Sequence, residues 1–336
     1  MSLRTGASKG RTRAGNLDPV RRTIAGIGRT LVTLGLLILL FVVYQLWGTG
    51  IWTARAQDQL ESEFTQAQQQ YEKDNPVVST PTTANGTGKP AKPAKLTRPA
   101  PPIPALGEWA GRIRIPAIGV DYIFVEGTDR DELKKGPGHY PATPFPGTIG
   151  NAAIAGHRTT YGAPFGNVDK LKPGDEIIVD TVAGTFTYKI YAPNKGDANS
   201  GHMIVGKRDT WVVDNTKDPQ ITLTSCHPKG SAEERIVIKG KLVANKSAVP
   251  AKAQKTKPHP EGKSDADALG ESLSGQTKSI TPSVMWGLFM FAVGMVWWWT
   301  FRRWRHPATW LVGVIPFMAA LFVFYVYLER ALPAGY

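Results

Sequence analysis

A single cysteine, Cys226, in a chain of 336 residues leaves no partner for an intrachain disulfide and too few thiols for a Cys-rich zinc site. A disulfide-stapled scaffold and a zinc ribbon are both excluded. Between residues 105 and 244 no apolar run of helical period exceeds about eight residues, apart from a turn at Asp129–Lys135. Concentrated charge is missing there too. The net charge of +13 would point to nucleic acid if it lay on one folded face, yet residues 99–243 carry 17 basic and 16 acidic side chains. A near-neutral folded part has no footprint for a phosphate backbone, so no nucleic-acid partner is expected. No histidine or acidic cluster has metal-ligand spacing, and neither a metal nor a cofactor is expected.

What the chain does have is long apolar runs. Thr30–Ala54, 279–301 and 307–328 are each long enough to cross a hydrocarbon core of about 30 Å, and each is apolar all round rather than along one stripe. Three transmembrane helices are therefore expected. Arg4, Lys9, Arg11, Arg13, Arg21, Arg22 and Arg29 flank the first, and Arg302, Arg303, Arg305 and His306 join the last two. Basic flanks stay on the cytoplasmic side, which puts the rest of the chain outside at a plasma membrane. A competing reading makes the first run a signal peptide cleaved near Ala54-Arg55-Ala56; the two C-terminal helices anchor the chain in either case.

The expected organisation is a basic cytoplasmic tail (1–29), a span (30–54) and a helical extension with a Pro-rich spacer (55–104). A folded domain (105–244) and a second polar spacer (245–278) follow. The chain then closes with a span (279–301), a cytoplasmic hinge (302–306), a span (307–328) and an extracellular tail (329–336). Inside the domain the hydrophobic period is two. Ile113 and Ile115 alternate with Arg112 and Arg114, and Phe186, Tyr188 and Ile190 alternate with Thr185, Thr187 and Lys189. With frequent Gly and Pro between the runs, this is an all-β barrel or sandwich with short helices.

Cys226 closes the β-branched run Ile221-Thr222-Leu223-Thr224-Ser225-Cys226 ahead of His227-Pro228. A cysteine is ordinarily buried filler, but this one ends a strand among Ser, Thr and His. A nucleophilic thiol needs an imidazole and a group to hold the oxyanion. His227 is adjacent, yet neighbouring side chains of a strand leave on opposite faces. His157 ends the strand-like run Asn151–Gly156, and Arg235 opens the strand after the loop that follows Cys226. The trio proposed for chemistry is Cys226, His157 and Arg235. His139 and His202 read as structural or surface groups.

At these residues the chain resembles the sortases, membrane-anchored cysteine transpeptidases. The resemblance lies in Thr222-Leu223-Thr224-Ser225-Cys226, in Ala155-Gly156-His157 and in Arg235, nine residues past the cysteine. The strings Gly156–Phe165 and Cys226-His227-Pro228-Lys229 are similar to the class E enzymes of actinobacteria. The resemblance implies a closed sortase-type β-barrel, a thioester on Cys226, His157 as acid and base, and Arg235 at the oxyanion. It also implies surface proteins with a Leu-Pro-x-Thr-Gly or Leu-Ala-x-Thr-Gly sorting signal as substrates, and a peptidoglycan-precursor amine or a pilin lysine as acceptor. Ser225 stands where the family usually has Thr, and an auxiliary role near the tetrahedral intermediate is expected to persist. Thr224 and Tyr161 are further substrate-side candidates; the Tyr161 ring either packs under its loop or turns its hydroxyl to the substrate groove. Residues 75–104 hold no Asp-Pro-aromatic lid triplet, which favours wall attachment over pilus polymerisation. The alternatives are a pilus-polymerising sortase, a cysteine hydrolase using the same trio, and a non-catalytic membrane scaffold.

Overall fold

A computed structural model describes residues 17–75, 102–192, 199–248, 250–252, 280–303 and 308–331. Most of both spacers, the first part of the basic tail, most of the hinge and the C-terminal tail from residue 332 lie outside the described residues. The chain forms α1 (Leu17–Val43), a π-helical turn (Tyr44–Gly48) and α2 (Thr49–Asp74). The strands follow: β1 (Trp109–Ile115), β2 (Val120–Glu126), α3 (Arg130–Leu133), β3 (Gly138–His139) and β4 (Asn151–Ala155). Then come β5 (Glu176–Thr181), β6 (Gly184–Ile190), β7 (His202–Gly206), β8 (Gln220–His227) and β9 (Glu234–Leu242). The helices α4 (Thr281–Arg303) and α5 (Ala308–Ala331) end the described chain.

The sheet runs in the order β6-β5-β1-β2-β3-β4-β8-β9, and pairing of β6 with the far end of β9 closes it. β7 pairs with the first half of β9, on the edge that β6 occupies further along. The result is the expected barrel of eight strands with one appended. Alternation builds its interior. Ile113, Phe124, Ile154, Ile177, Phe186, Leu223, Ile236 and Ile238 fill one buried cluster, each side chain contributing roughly 1.5–3 kcal/mol by leaving water. Gly111 sits at the irregularity between β1 and β2. A Cβ there would lie 2.5 Å from Asp180 O, so only glycine allows the strands to approach.

Two expectations change. The helical extension expected after the first apolar run forms as α2, but it packs against the barrel rather than standing clear of it. Leu60 and Phe64 of α2 bury against Ile123, Val125 and Val182. The Gln57 side chain donates to Ile123 O and Lys135 O at 2.8 Å and accepts from Ile123 N–H at 2.7 Å. The polar Gln/Glu stretch concealed one apolar stripe, which meets the outside of β1 and β2. Second, among the described residues two helical stretches rather than three are long and apolar enough to cross a membrane: Arg21–Asp74, by its N-terminal part, and Thr281–Thr300. The described apolar part of α5, Gly313–Glu329, is shorter. It stops at a carboxylate bound inside the folded unit. α4 and α5 pack together, with the Ser283 hydroxyl donating to Tyr327 O at 2.6 Å and the Trp286 and Tyr327 rings stacked 5.7 Å apart.

Candidate active site

β8 ends at His227, and the chain returns as β9 from Glu234 with Cys226 directly across from Arg235. On its other edge β8 meets β4 in parallel, Ala155 across from Thr224, and Gly156 N–H donates to Thr224 O at 3.1 Å. Carried two residues further, that register brings His157 abreast of Cys226. Side-chain parity then sorts the groups. Ile154, Leu223 and Ile236 point into the barrel, whereas Ala153, Ala155, Cys226 and Val237 form a second buried cluster on its outer face, under β7 and the 210–213 turn. Cys226, His157 and Arg235 share the outer parity; His227 has the inner one. Cys226 and Arg235 are thus cross-strand partners on the outer face, β4 runs along the other edge of β8 towards His157, and His227 falls on the opposite parity.

Thr224 shares the face of Cys226, and its Oγ1 is 3.0 Å from Tyr140 Oη. Ser225 points the other way, and its hydroxyl donates to Gly156 O at 2.7 Å. The expected substrate-side role of Ser225 therefore gives way to a tie between β8 and the residue before His157, because one step along a strand reverses the face. Gly156 is required at that step: a Cβ would sit 2.6 Å from the Phe165 ring. His139 is buried, with Nδ1 2.8 Å from Glu126 Oε2 and Nε2 3.1 Å from Pro144 O. It is structural, as expected.

Burial dominates the electrostatics. It pushes the Cys226 thiol up, against the pull of Arg235 and Arg158. Burial together with the cations Arg130 and Lys134 pushes His157 down to about 4. A neutral thiol beside a neutral imidazole is the resting pair at neutral pH. His157 Nε2 is buried without a hydrogen-bond partner among the described residues.

Because the imidazole binds a proton less readily folded than at its ordinary 6.5, its contribution to stability is complete above that pH. It is lost as pH falls from 6.5 towards about 4. Thermal unfolding of the full chain across this window should show a falling midpoint, and a His157→Asn variant should show a shallower fall. Equal slopes would mean that His157 is not buried in its neutral form.

Arg158 was not foreseen. It is buried, with Nη2 3.0 Å from Asp169 Oδ1 and with Nε and Nη1 lacking hydrogen-bond partners among the described residues, and its charge acts on Cys226. Its sole sequence signal was its place directly after His157. Arg235 is fully buried, and Nη1 donates to Ala232 O and Glu234 O at 3.0 Å. These bonds aim a planar fork, so Arg235→Lys, with a point charge on a flexible stem, should lower kcat about tenfold or more. Wild-type turnover in that variant would reduce the residue to its charge.

Tyr161 is buried and adopts φ of 53°, a left-handed conformation uncommon for a residue with a Cβ. The surroundings impose it. Its N–H donates to Thr49 Oγ1 at 3.1 Å, its ring lies 5.0 Å from that of His157, and its hydroxyl donates to the Glu329 carboxylate of α5. The hydroxyl expected in a substrate groove is thus directed at a carboxylate that is distant in sequence.

The Sortase domain family model matches residues 113–243. Sortase SrtE2 of Streptomyces coelicolor is 28% identical over 242 residues, 70% of this chain and 87% of the relative. Sortase SrtE1 of the same organism is 30% identical over 247 residues, 71% of this chain and 60% of the relative. Sortase D of Bacillus subtilis is 34% identical over 144 residues, 42% of this chain and 67% of the relative.

Proposed function

Because this chain belongs to the sortase family and is class E-like, we propose that it is a membrane-anchored transpeptidase joining sorting-signal proteins to a cell-wall amine. Sortases are cysteine transpeptidases that act on sorting-signal-bearing proteins. What supports the reading for this chain is that Cys226 lies across from Arg235 on β8 and β9, while β4, which leads into His157, runs along the other edge of β8.

In the proposed reaction the Cys226 thiol passes its proton to His157, and the thiolate attacks the carbonyl carbon of Thr in a Leu-Pro-x-Thr-Gly or Leu-Ala-x-Thr-Gly signal. A thioester forms, the Thr–Gly amide bond breaks, and His157 supplies the proton that the departing amine needs. An incoming amine then attacks the thioester, yields its proton to His157 and releases the thiolate. Arg235 and nearby backbone N–H groups hold the oxyanion in both halves, and the positive charge of Arg158 adds to the field at the thiol. The acceptor is a peptidoglycan-precursor amine. We place residues 1–29 in the cytoplasm, the remainder of α1 up to Val43 in the membrane and the barrel outside, as the basic flanks direct.

The test uses the full chain in detergent micelles, because α2 belongs to the fold and cutting at residue 100 would bare Ile123 and Val125. The protein is incubated with a sorting-signal peptide, with and without an added amine, and products are identified by mass spectrometry. A peptide–amine adduct supports transpeptidation. Carboxylic acid as the sole product in both incubations would make the enzyme a hydrolase.

A further inference from the structure

We propose that Glu329, at the end of the C-terminal helical hairpin, is a positioning residue for His157, fixing the ring that packs on it and screening the cation that faces it. The proposal rests on the transpeptidase reading above. The Glu329 side chain is nearly buried and is shared between two groups. One is the Tyr161 hydroxyl, whose ring lies against the imidazole with centroids 5.0 Å apart and planes inclined by 36°. The other is Arg130 of α3, whose Nη2 is 3.2 Å from Glu329 Oε1 and also donates to Glu329 O. Arg130 opposes protonation of His157, so the same carboxylate that pins Tyr161 offsets that opposition.

The neighbourhood is otherwise cationic. Arg130 of α3 and Lys134 just after that helix both oppose protonation of His157, and Lys134 in turn feels the charges of Glu329 and Asp131. Arg158, paired with Asp169, follows in the loop; Cys226 and Arg235 lie on β8 and β9. Glu329 is the anion that reaches this cluster from α5. Acyl transfer needs thiolate with imidazolium, a minority form of a pair that rests neutral, and its share falls as the imidazole becomes harder to protonate. Removing the carboxylate should therefore reduce the active form and loosen the ring beside it.

The test compares wild type, Glu329→Gln, Arg130→Gln, their double variant and Tyr161→Phe as full chains in micelles. A sorting-signal peptide and an added amine are the substrates, and kcat, KM and the pH profile of kcat/KM are measured. Glu329→Gln should lower kcat about tenfold, the worth of one hydrogen bond to a charged group, with KM nearly unchanged. The acid limb of its profile should move to lower pH, and adding Arg130→Gln should move it back. Tyr161→Phe should lower kcat for Leu-Ala-x-Thr-Gly and Leu-Pro-x-Thr-Gly peptides alike.

A lowered melting temperature with wild-type kcat and an unmoved limb would make Glu329 a strut and overturn the proposal. So would a double variant whose limb stays displaced. If Glu329→Gln fails to fold, Tyr161→Phe decides: wild-type kcat, or a change confined to the preference between the two peptides, overturns it. A wild-type chain that forms no adduct would overturn the transpeptidase reading itself, whereas an active wild type with an unaltered Glu329→Gln profile sinks this inference alone.

Discussion

Cys226→Ala should abolish adduct formation, lowering kcat/KM by at least about 10²-fold and leaving only background, since the reaction loses its nucleophile. The fold should survive. Cys226 is buried at the margin of the outer cluster with Ala153, Ala155 and Val237, and loss of one sulfur leaves a small gap rather than an unpaired charge or an orphaned hydrogen bond. A single cooperative unfolding transition close to the wild-type midpoint, together with loss of the thioester mass that wild type shows when incubated with peptide alone, is the expected pair of results. Retention of a tenth of wild-type turnover would remove the thiol from the chemistry and favour a scaffold role.

The second large effect separates two histidines. His157→Ala should lose activity on the same scale, at least about 10²-fold, because the leaving amine then has no proton donor. His227→Ala should keep most of its turnover although His227 is bonded to the cysteine in the chain. Parity is the reason: β8 continues to His227, so its ring leaves on the face opposite Cys226, while the β4–β8 register brings His157 abreast of the thiol. Measuring both variants at several pH values guards against a shifted optimum. An inactive His227→Ala beside an active His157→Ala would reverse the assignment of the base.

Much of this site was legible in the linear chain. Alternation of apolar and polar residues fixes which strand residues share a face, so Ile221, Leu223 and Ser225 could be separated from Thr224 and Cys226, and His227 set aside, without a structure. The resemblance at Thr222–Cys226, Ala155–His157 and Arg235 named the trio. Ser225 was expected near the tetrahedral intermediate by resemblance, whereas strand alternation turns it from the thiol and its hydroxyl donates to Gly156 O. Less accessible was α2. Its Leu60 and Phe64 stripe is sparse among Gln and Glu, and only the face of β1 and β2 that receives it distinguishes a packed helix from a solvated extension.

By itself the sequence determined the strand periodicity, the near-neutral domain, the long apolar runs and the kinds of side chain available for acyl transfer. Those are properties of neighbours along the chain, and local geometry transmits them over a few residues. Tertiary structure decided how the barrel closes, which cations surround His157 and which way its protonation is pushed. It also decided that Glu329 meets Tyr161 across 168 positions. Contacts at that separation follow from how whole elements pack, and the charge on a buried group follows from everything packed around it, which no stretch of sequence contains.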